Sequence, residues 1–339
     1  MRKLSVILAI ILVLFSFSGC KNGSADDNLL VIYCSHPLEF IDSLLNNFEN
    51  DTGIRVKTVR AGTGDLLKKA QSEADDPQCD ILWGGSYSTV RPFQELFDSF
   101  ESVNEPYILD QFKNVEKTMT RFSDIPSVLM VNRNLVGDIE INGYEDLLNE
   151  SLKGIIAMSD PAKSSSSREH LINIVYAIGN GKFEDSKEYL EKLCENLDGK
   201  LLSNSSDVFN KVASGQFAVG LTFEEGARKF EAIDPNIQVV YMEEGVVATP
   251  DGVYMIKNAK HKANAKTFID YITSNEIQQY MVDNLNRRSI RRDVTTPKTM
   301  IKKSDINIIN VDPTYVEDNC ASWLIEFEEI YKKSARKSE

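Results

Sequence analysis

Short apolar runs recur along this chain, each broken by a loop of Gly, Ser or Thr and followed by a segment with helical spacing. That alternation constrains the fold more than any other feature. Residues 29–33 (LLVIY) form the first run, and Cys34-Ser35-His36-Pro37 breaks it. Phe40, Ile41, Leu44, Leu45 and Phe48 then share one face of a 3.6-residue period, and Gly53 marks the helix end. Residues 54–59 alternate as a second strand, Ala61-Gly62-Thr63-Gly64-Asp65 turns the chain, and a helix runs from Leu66. Residues 80–83 read as a third strand, ended by Gly84-Gly85-Ser86. Residues 127–131, 154–158, 217–221, 237–241 and 253–256 repeat the strand pattern, and Leu171, Ile174, Val175 and Ile178 share a helical face. Strand, loop and helix in repetition predict an α/β fold with a parallel sheet. A length of 339 residues leaves room for two domains of ordinary size.

The N-terminus reads as an export signal. Met1-Arg2-Lys3 is cationic, and residues 4–17 are almost continuously apolar but too short to span a bilayer comfortably. The run ends in Phe17-Ser18-Gly19-Cys20, small residues before a Cys, which resembles a bacterial lipobox with Phe where Leu is usual. Residues 1–20 are therefore expected to be a lipoprotein signal peptide with Cys20 as the acylated first mature residue. Residues 21–28 (KNGSADDN) have the small, polar composition of a tether. The expected product is a membrane-anchored lipoprotein on the periplasmic or cell-surface side.

Charge and cysteine usage exclude several classes. The formal net charge is −13, and loss of Arg2 and Lys3 with the signal makes it −15. A chain this acidic repels polyphosphate, so no nucleic-acid partner is expected. Cys34, Cys79, Cys194 and Cys320 are widely spaced, without metal-site or redox spacing. An exported chain allows them disulfides in three connectivities, with buried unpaired thiols as the alternative. Gly62-Thr63-Gly64 fails to extend to a dinucleotide motif because Leu67 holds the third glycine position, and no P-loop, HExxH or GxSxG occurs. His36, His170 and His261 have no paired nucleophile in sequence. No catalytic residue, resident metal or cofactor is expected.

What remains is a set of polar loops where strands end, the place where ligands of open α/β sheets bind. The candidate binding residues are Ser35, His36, Thr63, Gly64, Gly85, Ser164, Ser165, Ser166, Thr222 and Glu224. Ser166 and Glu169 have the spacing of a capping box. Ser164 and Ser165 are left over from it, and at a helix N-terminus their hydroxyls and N–H groups suit an oxyanion facing Thr63 and Gly64. Arg287, Arg288, Arg291 and Arg292 crowd six positions, either as a solvated helix end balanced by nearby acids or with one of them at a cleft rim, steering an anion.

The ordered motifs resemble the extracellular solute-binding proteins of ABC importers. They are the lipobox, Leu30-Val31-Ile32-Tyr33-Cys34-Ser35-His36, Asp51-Thr52-Gly53-Ile54, Ala61-Gly62-Thr63-Gly64, Cys79-Asp80-Ile81-Leu82-Trp83-Gly84-Gly85, Ile155-Ile156-Ala157-Met158-Ser159-Asp160-Pro161, Val219-Gly220-Leu221-Thr222-Phe223-Glu224-Glu225 and Asn286-Arg287-Arg288-Ser289. Within that family the chain is similar to the ferric-iron, phosphonate and hexose-phosphate group. The resemblance implies a type II periplasmic-binding-protein fold, two α/β lobes with a ligand cleft between them. Lobe I is expected at 29–127 and 249–339, and lobe II at 128–248. It also implies a permease and an ATPase as partners, and a monomer. Two ligand classes lead, with a polyamine or another organic solute left open. Neutral hydroxyl and N–H donors suit a small phosphate or phosphonate, with Glu224 free for an amine or a sugar hydroxyl. Fe³⁺ as cargo needs anionic oxygen. Iron binders take it from adjacent tyrosines where this chain has Thr222-Phe223-Glu224, which leaves His36 and Glu224, with Tyr87, Tyr241 and Tyr254 as stand-ins. Readings of another class are a secreted enzyme or a surface adhesin on a two-lobed fold.

Overall fold

The computed structural model describes residues 27–338. The expected signal peptide, most of the tether and the lipidation site Cys20 lie outside the described residues. Strand β1 (Leu29–Cys34) is followed by α1 (Leu38–Thr52), β2 (Arg55–Arg60), α2 (Thr63–Ser72) and β3 (Ile81–Ser86). A long strand, β4 (Thr120–Asn132), leads to β5 (Ile156–Ser159), α3 (Ser165–Ala177), α4 (Phe183–Leu197), β6 (Leu201–Leu202), α5 (Ser205–Ala213) and β7 (Val219–Phe223). Then come α6 (Glu224–Glu231), β8 (Ile237–Val240), β9 (Ala248–Met255), α7 (Lys262–Ile272), α8 (Asn275–Leu285) and α9 (Pro313–Ser338).

The strands form one curled sheet in the order β2-β1-β3-β9-β4-β7-β5-β6, with β8 on β4. β1 pairs in parallel with β2 and β3, and β5 with β6 and β7. β9 and β4 run antiparallel to their neighbours, so the sheet is mixed rather than wholly parallel. Each half repeats one plan, a central strand flanked by two parallel strands and closed by an antiparallel one. β4 serves both halves. Its residues Thr120–Pro126 pair with β9, and Ser127–Val131 pair with β7. The change falls at Pro126, which has no N–H to donate to a ladder.

Period-2 alternation gives each half two cores. Leu30 and Ile32 of β1 pack with Phe40, Leu44, Phe48, Trp83 and Phe268, while Tyr33 packs on the opposite face with Leu66, Leu67 and Leu82. In the second half, Leu129 and Val131 of β4 join Ile156, Leu171, Val175 and Leu190, and Val128 and Met130 join Val208 and Phe209. Both sheet faces are covered by helices, giving two three-layer lobes.

The last helix departs from the expected partition. Val316, Cys320, Trp323, Phe327 and Ile330 of α9 are buried in the same core as Leu190, Leu193 and Leu197 of α4. The chain after α8 thus leaves the first lobe and finishes on the second. The four cysteines of the described residues are buried free thiols. Burial pushes the Cys34 and Cys194 thiols up to about 12 and Cys320 to about 11, disfavouring the reactive thiolate.

Candidate functional site

A cavity of about 510 Å³ lies between the lobes, at the C-terminal ends of β1, β2, β3, β5, β6 and β7. Of the expected residues, Ser35, His36, Thr63, Gly85, Ser164, Ser165 and Ser166 line it. The walls hold nine serines, two threonines, Arg60, Arg287 and the carboxylates Asp65, Glu169, Asp207 and Asp251.

Three helices point their N-termini at this space. α2 starts at Thr63, and no side chain caps it. α3 starts at Ser165 with Ser164 in the N-cap position, also without a side-chain cap bond. α5 starts at Ser205, where Asn204 accepts from the Asp207 N–H. The first N–H groups of a helix have no intrahelical acceptor, and the helix dipole adds partial positive charge there. Arg60 is exposed at the cavity, where its Nε donates to the His36 carbonyl at 3.3 Å.

The lobes touch across the cleft. The Gly64 N–H donates to the Lys163 carbonyl at 3.2 Å, and the Thr63 and Ser165 hydroxyls stand 3.4 Å apart. A Cβ on Gly64 would sit 2.4 Å from the Ala162 carbonyl oxygen, so only glycine allows this approach. Gly84 and Gly85 have φ of +99° and +90°, a region that L side chains avoid, and a Cβ on Gly85 would meet the Thr63 methyl at 2.5 Å. Glu169 does not reach back to close a capping box. It spans the cleft instead, accepting from the Ser88 hydroxyl and, at 2.6 Å, from Thr249.

Gly64, Thr222 and Glu224 are brought near the cleft but do not line the cavity. Thr222 is fully buried, and its carbonyl accepts from His170 Nε2 at 2.7 Å. Glu224 is 2% exposed and paired with Arg288, Nε to Oε2 at 2.6 Å and Nη2 to Oε1 at 2.7 Å, while Tyr241 donates to it. It is therefore not free for an amine, a hydroxyl or a metal, and the His36–Glu224 pair envisaged for iron is not assembled on the wall. Tyr87 donates to Glu116 and Tyr254 to the Gly85 carbonyl, and neither they nor Tyr241 line the cavity. Among the described residues, no group of three or more His, Cys, Asp or Glu stands together as a metal site.

The arginine run is not a solvated helix end. Arg287, Arg288 and Arg291 are 2%, 7% and 5% exposed. Arg287 lines the cavity and bonds Glu225 Oε2 at 2.8 Å and Asp251 Oδ2 at 3.4 Å. Its guanidinium lies over the Phe40 ring, 4.4 Å from the centroid. Arg291 pairs with Asp293, and Arg292 with Asp110. Burial, then Arg287 and Arg60, push the His36 imidazole well below its usual range, so it is neutral. Burial pushes the Asp251 carboxyl up to about 6, against the lowering effect of Arg287 and of the Ser123 hydrogen bonds.

The sequence reading missed Arg60, the 203–207 loop and the crossover residues Ser127, Thr249 and Asp251. The Ser203-Asn204-Ser205-Ser206-Asp207 stretch carries the same hydroxyl-rich signal as residues 164–167. The strand before it is only two residues long, so no apolar run flagged it.

Two lobes sharing crossover strands, with a polar cavity between them, define a two-lobed periplasmic binding protein. AfuA of Actinobacillus pleuropneumoniae, solved with exogenous fructose-6-phosphate bound, matches this architecture. The TM-score is 0.81 at 20% identity, over 89% of this chain and 98% of that one. A family model for bacterial extracellular solute-binding proteins matches residues 29–284, and the chain belongs to that family. Iron uptake protein A1 of Synechocystis sp. is 22% identical over 268 residues, 75% of this chain and 73% of that protein. A putative 2-aminoethylphosphonate-binding periplasmic protein of Salmonella typhi is 22% identical over 267 residues, 73% of each chain. The chain is thus a substrate-binding protein of the ABC-importer class. Its homologues are periplasmic solute binders rather than enzymes, and family members work with a permease and an ATPase.

Proposed function

We propose that this protein captures a small phosphorylated or phosphonate-type anion in the interlobe cavity and delivers it to an importer. The convergence of three helix N-termini and Arg60 on one cavity carries the reading. Uncapped N–H groups and hydroxyls bind an oxyanion without the cost of burying several cations. Asp65, Asp207 and Glu169 on the same walls give acceptors for an amine or hydroxyls on the rest of the ligand. Against Fe³⁺ stands the donor set. Ferric iron prefers several anionic oxygens on one point, and here Glu224 is committed to Arg288 while the three candidate tyrosines face elsewhere.

A thermal-shift and calorimetry screen tests the reading with 2-aminoethylphosphonate, glucose 6-phosphate, fructose 6-phosphate and Fe³⁺. A true ligand at 100 times its Kd adds about 2.7 kcal/mol to folding stability. A response to Fe³⁺ alone would overturn the oxyanion assignment.

We also propose that acyl chains on Cys20 hold the protein at the outer face of a membrane, a reading that its lipobox context supports. Cys20→Ala is expected to prevent acylation and to release or mislocalise the chain, read as loss of incorporated labelled palmitate. Palmitate incorporation equal to that of the wild type would refute the anchor.

A further inference from the structure

Beside the cavity the two lobes meet along a short seam, with glycine on one side and backbone carbonyls on the other. Gly62-Thr63-Gly64 follows β2 and opens α2 in the first lobe, and Ala162 and Lys163 precede α3 in the second. The Gly64 N–H is one of the first-turn donors that a helix leaves free, and it donates to the Lys163 carbonyl at 3.2 Å. It therefore serves the opposite lobe rather than the cavity, which Gly64 does not line. The Thr63 hydroxyl donates to that of Ser165 at 3.4 Å. A Cβ on Gly62 would stand 2.6 Å from the Lys163 carbonyl oxygen, and one on Gly64 would stand 2.4 Å from that of Ala162. Close carbon–oxygen contacts stop at about 3.3 Å. Those oxygens are not free to swing aside. Asp160 Oδ1 accepts from the Ala162 N–H at 2.9 Å, and the Asp160 carbonyl accepts from Lys163 and Ser164 at 3.0 and 2.9 Å. Pro161 fixes its own φ within the same turn. The first lobe by itself asks for no glycine here. Gly62 has φ −63° and ψ 149°, which any residue adopts, and Gly64 lies in the first turn of α2, where alanine is the better helix former. What forbids a side chain at both positions is the other lobe.

We propose that Gly62 and Gly64 are positioning residues for lobe closure. Their missing side chains let the first lobe seat on the carbonyls of residues 162–163, and that seating, rather than contact with ligand, is what Gly64 contributes to capture. The role rests on capture between the lobes and is independent of the oxyanion reading above. Closure also forms the bond from Ser88 to Glu169 and the rim pair of Lys229 with Glu39 at 3.3 Å. Those contacts are made by side chains that can adjust. The seam is backbone against backbone and has no room for one added methyl. A methyl at Gly64 leaves each lobe folded and stops the pair short of full closure. Apparent affinity scales with the fraction of molecules able to adopt the closed form, so the loss appears in binding.

Disulfide trapping in the full chain measures closure without a ligand. Thr63→Cys with Ser165→Cys puts two sulfurs where hydroxyls stand 3.4 Å apart, and they bond only when the lobes seat. Cys34, Cys79, Cys194 and Cys320 are buried, and the chain without the added pair sets the background. Adding Gly64→Ala is expected to slow the cross-link by about tenfold or more, as the closed fraction falls. Gly62→Ala, on the other side of Thr63, is expected to act alike. Both variants should keep the cooperative urea transition of the parent. Cross-linking at the parent's rate overturns the inference. A slower rate with loss of the cooperative transition also overturns it, because Gly64 would then serve the fold of α2 rather than closure. Calorimetry with glucose 6-phosphate and 2-aminoethylphosphonate gives the second readout. The probe that binds the wild type is expected to bind Gly64→Ala about 100-fold more weakly, and equal affinity overturns the closure role while leaving the oxyanion reading standing. Failure of both probes to bind the wild type counts against the oxyanion reading alone, and the trapping rate then decides the seam.

Discussion

Replacing Arg287 with alanine is expected to lower the stability of the apo-protein by about 3–5 kcal/mol, because it strips the cation from two buried carboxylates at once. Glu225 and Asp251 are 6% and 1% exposed, and Arg287 bridges them from the segment after α8 in the first lobe. Glu225 lies in the first turn of α6 in the second lobe, so the change also removes an ion pair that ties the lobes together. Truncation further exposes the face of Phe40 that the guanidinium covers. The pH dependence has a definite sign. In the variant, burial without the arginine holds both carboxyls above their unfolded values, so the folded state binds more protons than the unfolded state. Stability therefore recovers as pH falls through the folded values and is poorest above them. Urea unfolding near pH 8 and near pH 5 measures both features. A loss under about 1 kcal/mol near pH 8, the range of exposed pairs, would show that the cluster is not the buried bridge described here.

Changing Ser164 and Ser165 together to alanine is expected to weaken binding of the phosphorus ligand by roughly 10²–10⁴-fold, at about 1.5–3 kcal/mol for each hydrogen bond lost to a charged oxygen. Apo stability should change little. A serine that caps a helix contributes about 1 kcal/mol, but Ser164 sits in the N-cap position without making that bond, and Glu169 is turned across the cleft to Ser88 and Thr249. Paired calorimetry and denaturation on the double variant separate the two effects. Unchanged affinity would remove the serine run from the site. An affinity loss matched by an equal loss of apo stability would return it to helix capping.

The positions of the strands and helices were legible because their signals are local. Leu30 and Ile32 against Tyr33, and Phe40, Leu44 and Phe48 along α1, bury the faces that their spacing predicts. The polar loops were legible for the same reason, since a buried strand cannot end in Gly-Gly-Ser or in four serines without a use for them. Where a loop was right but a residue in it was not, strand alternation explains the error. Phe223 faces the cavity, so its neighbours Thr222 and Glu224 turn away from it. The repeated plan of the two lobes leaves no trace as a sequence repeat, because it resides in strand order and pairing direction rather than in residue identity.

By itself, the sequence determined the α/β class, the hydroxyl-rich loops at strand ends and the family to which the chain belongs. These follow from patterns a few residues long, together with their order along the chain. Only the tertiary structure decided which charges are available. Glu224 and Arg288 are 64 residues apart in sequence, and His36 follows the end of β1 while Asp251 sits within β9. Their pairing depends on how β4 and β9 cross between the lobes, and a charge's worth is set by the partner and burial it meets there. The same long-range packing placed α9 on the second lobe, since its apolar stripe would fit any helix face and the chain path after α8 chose α4.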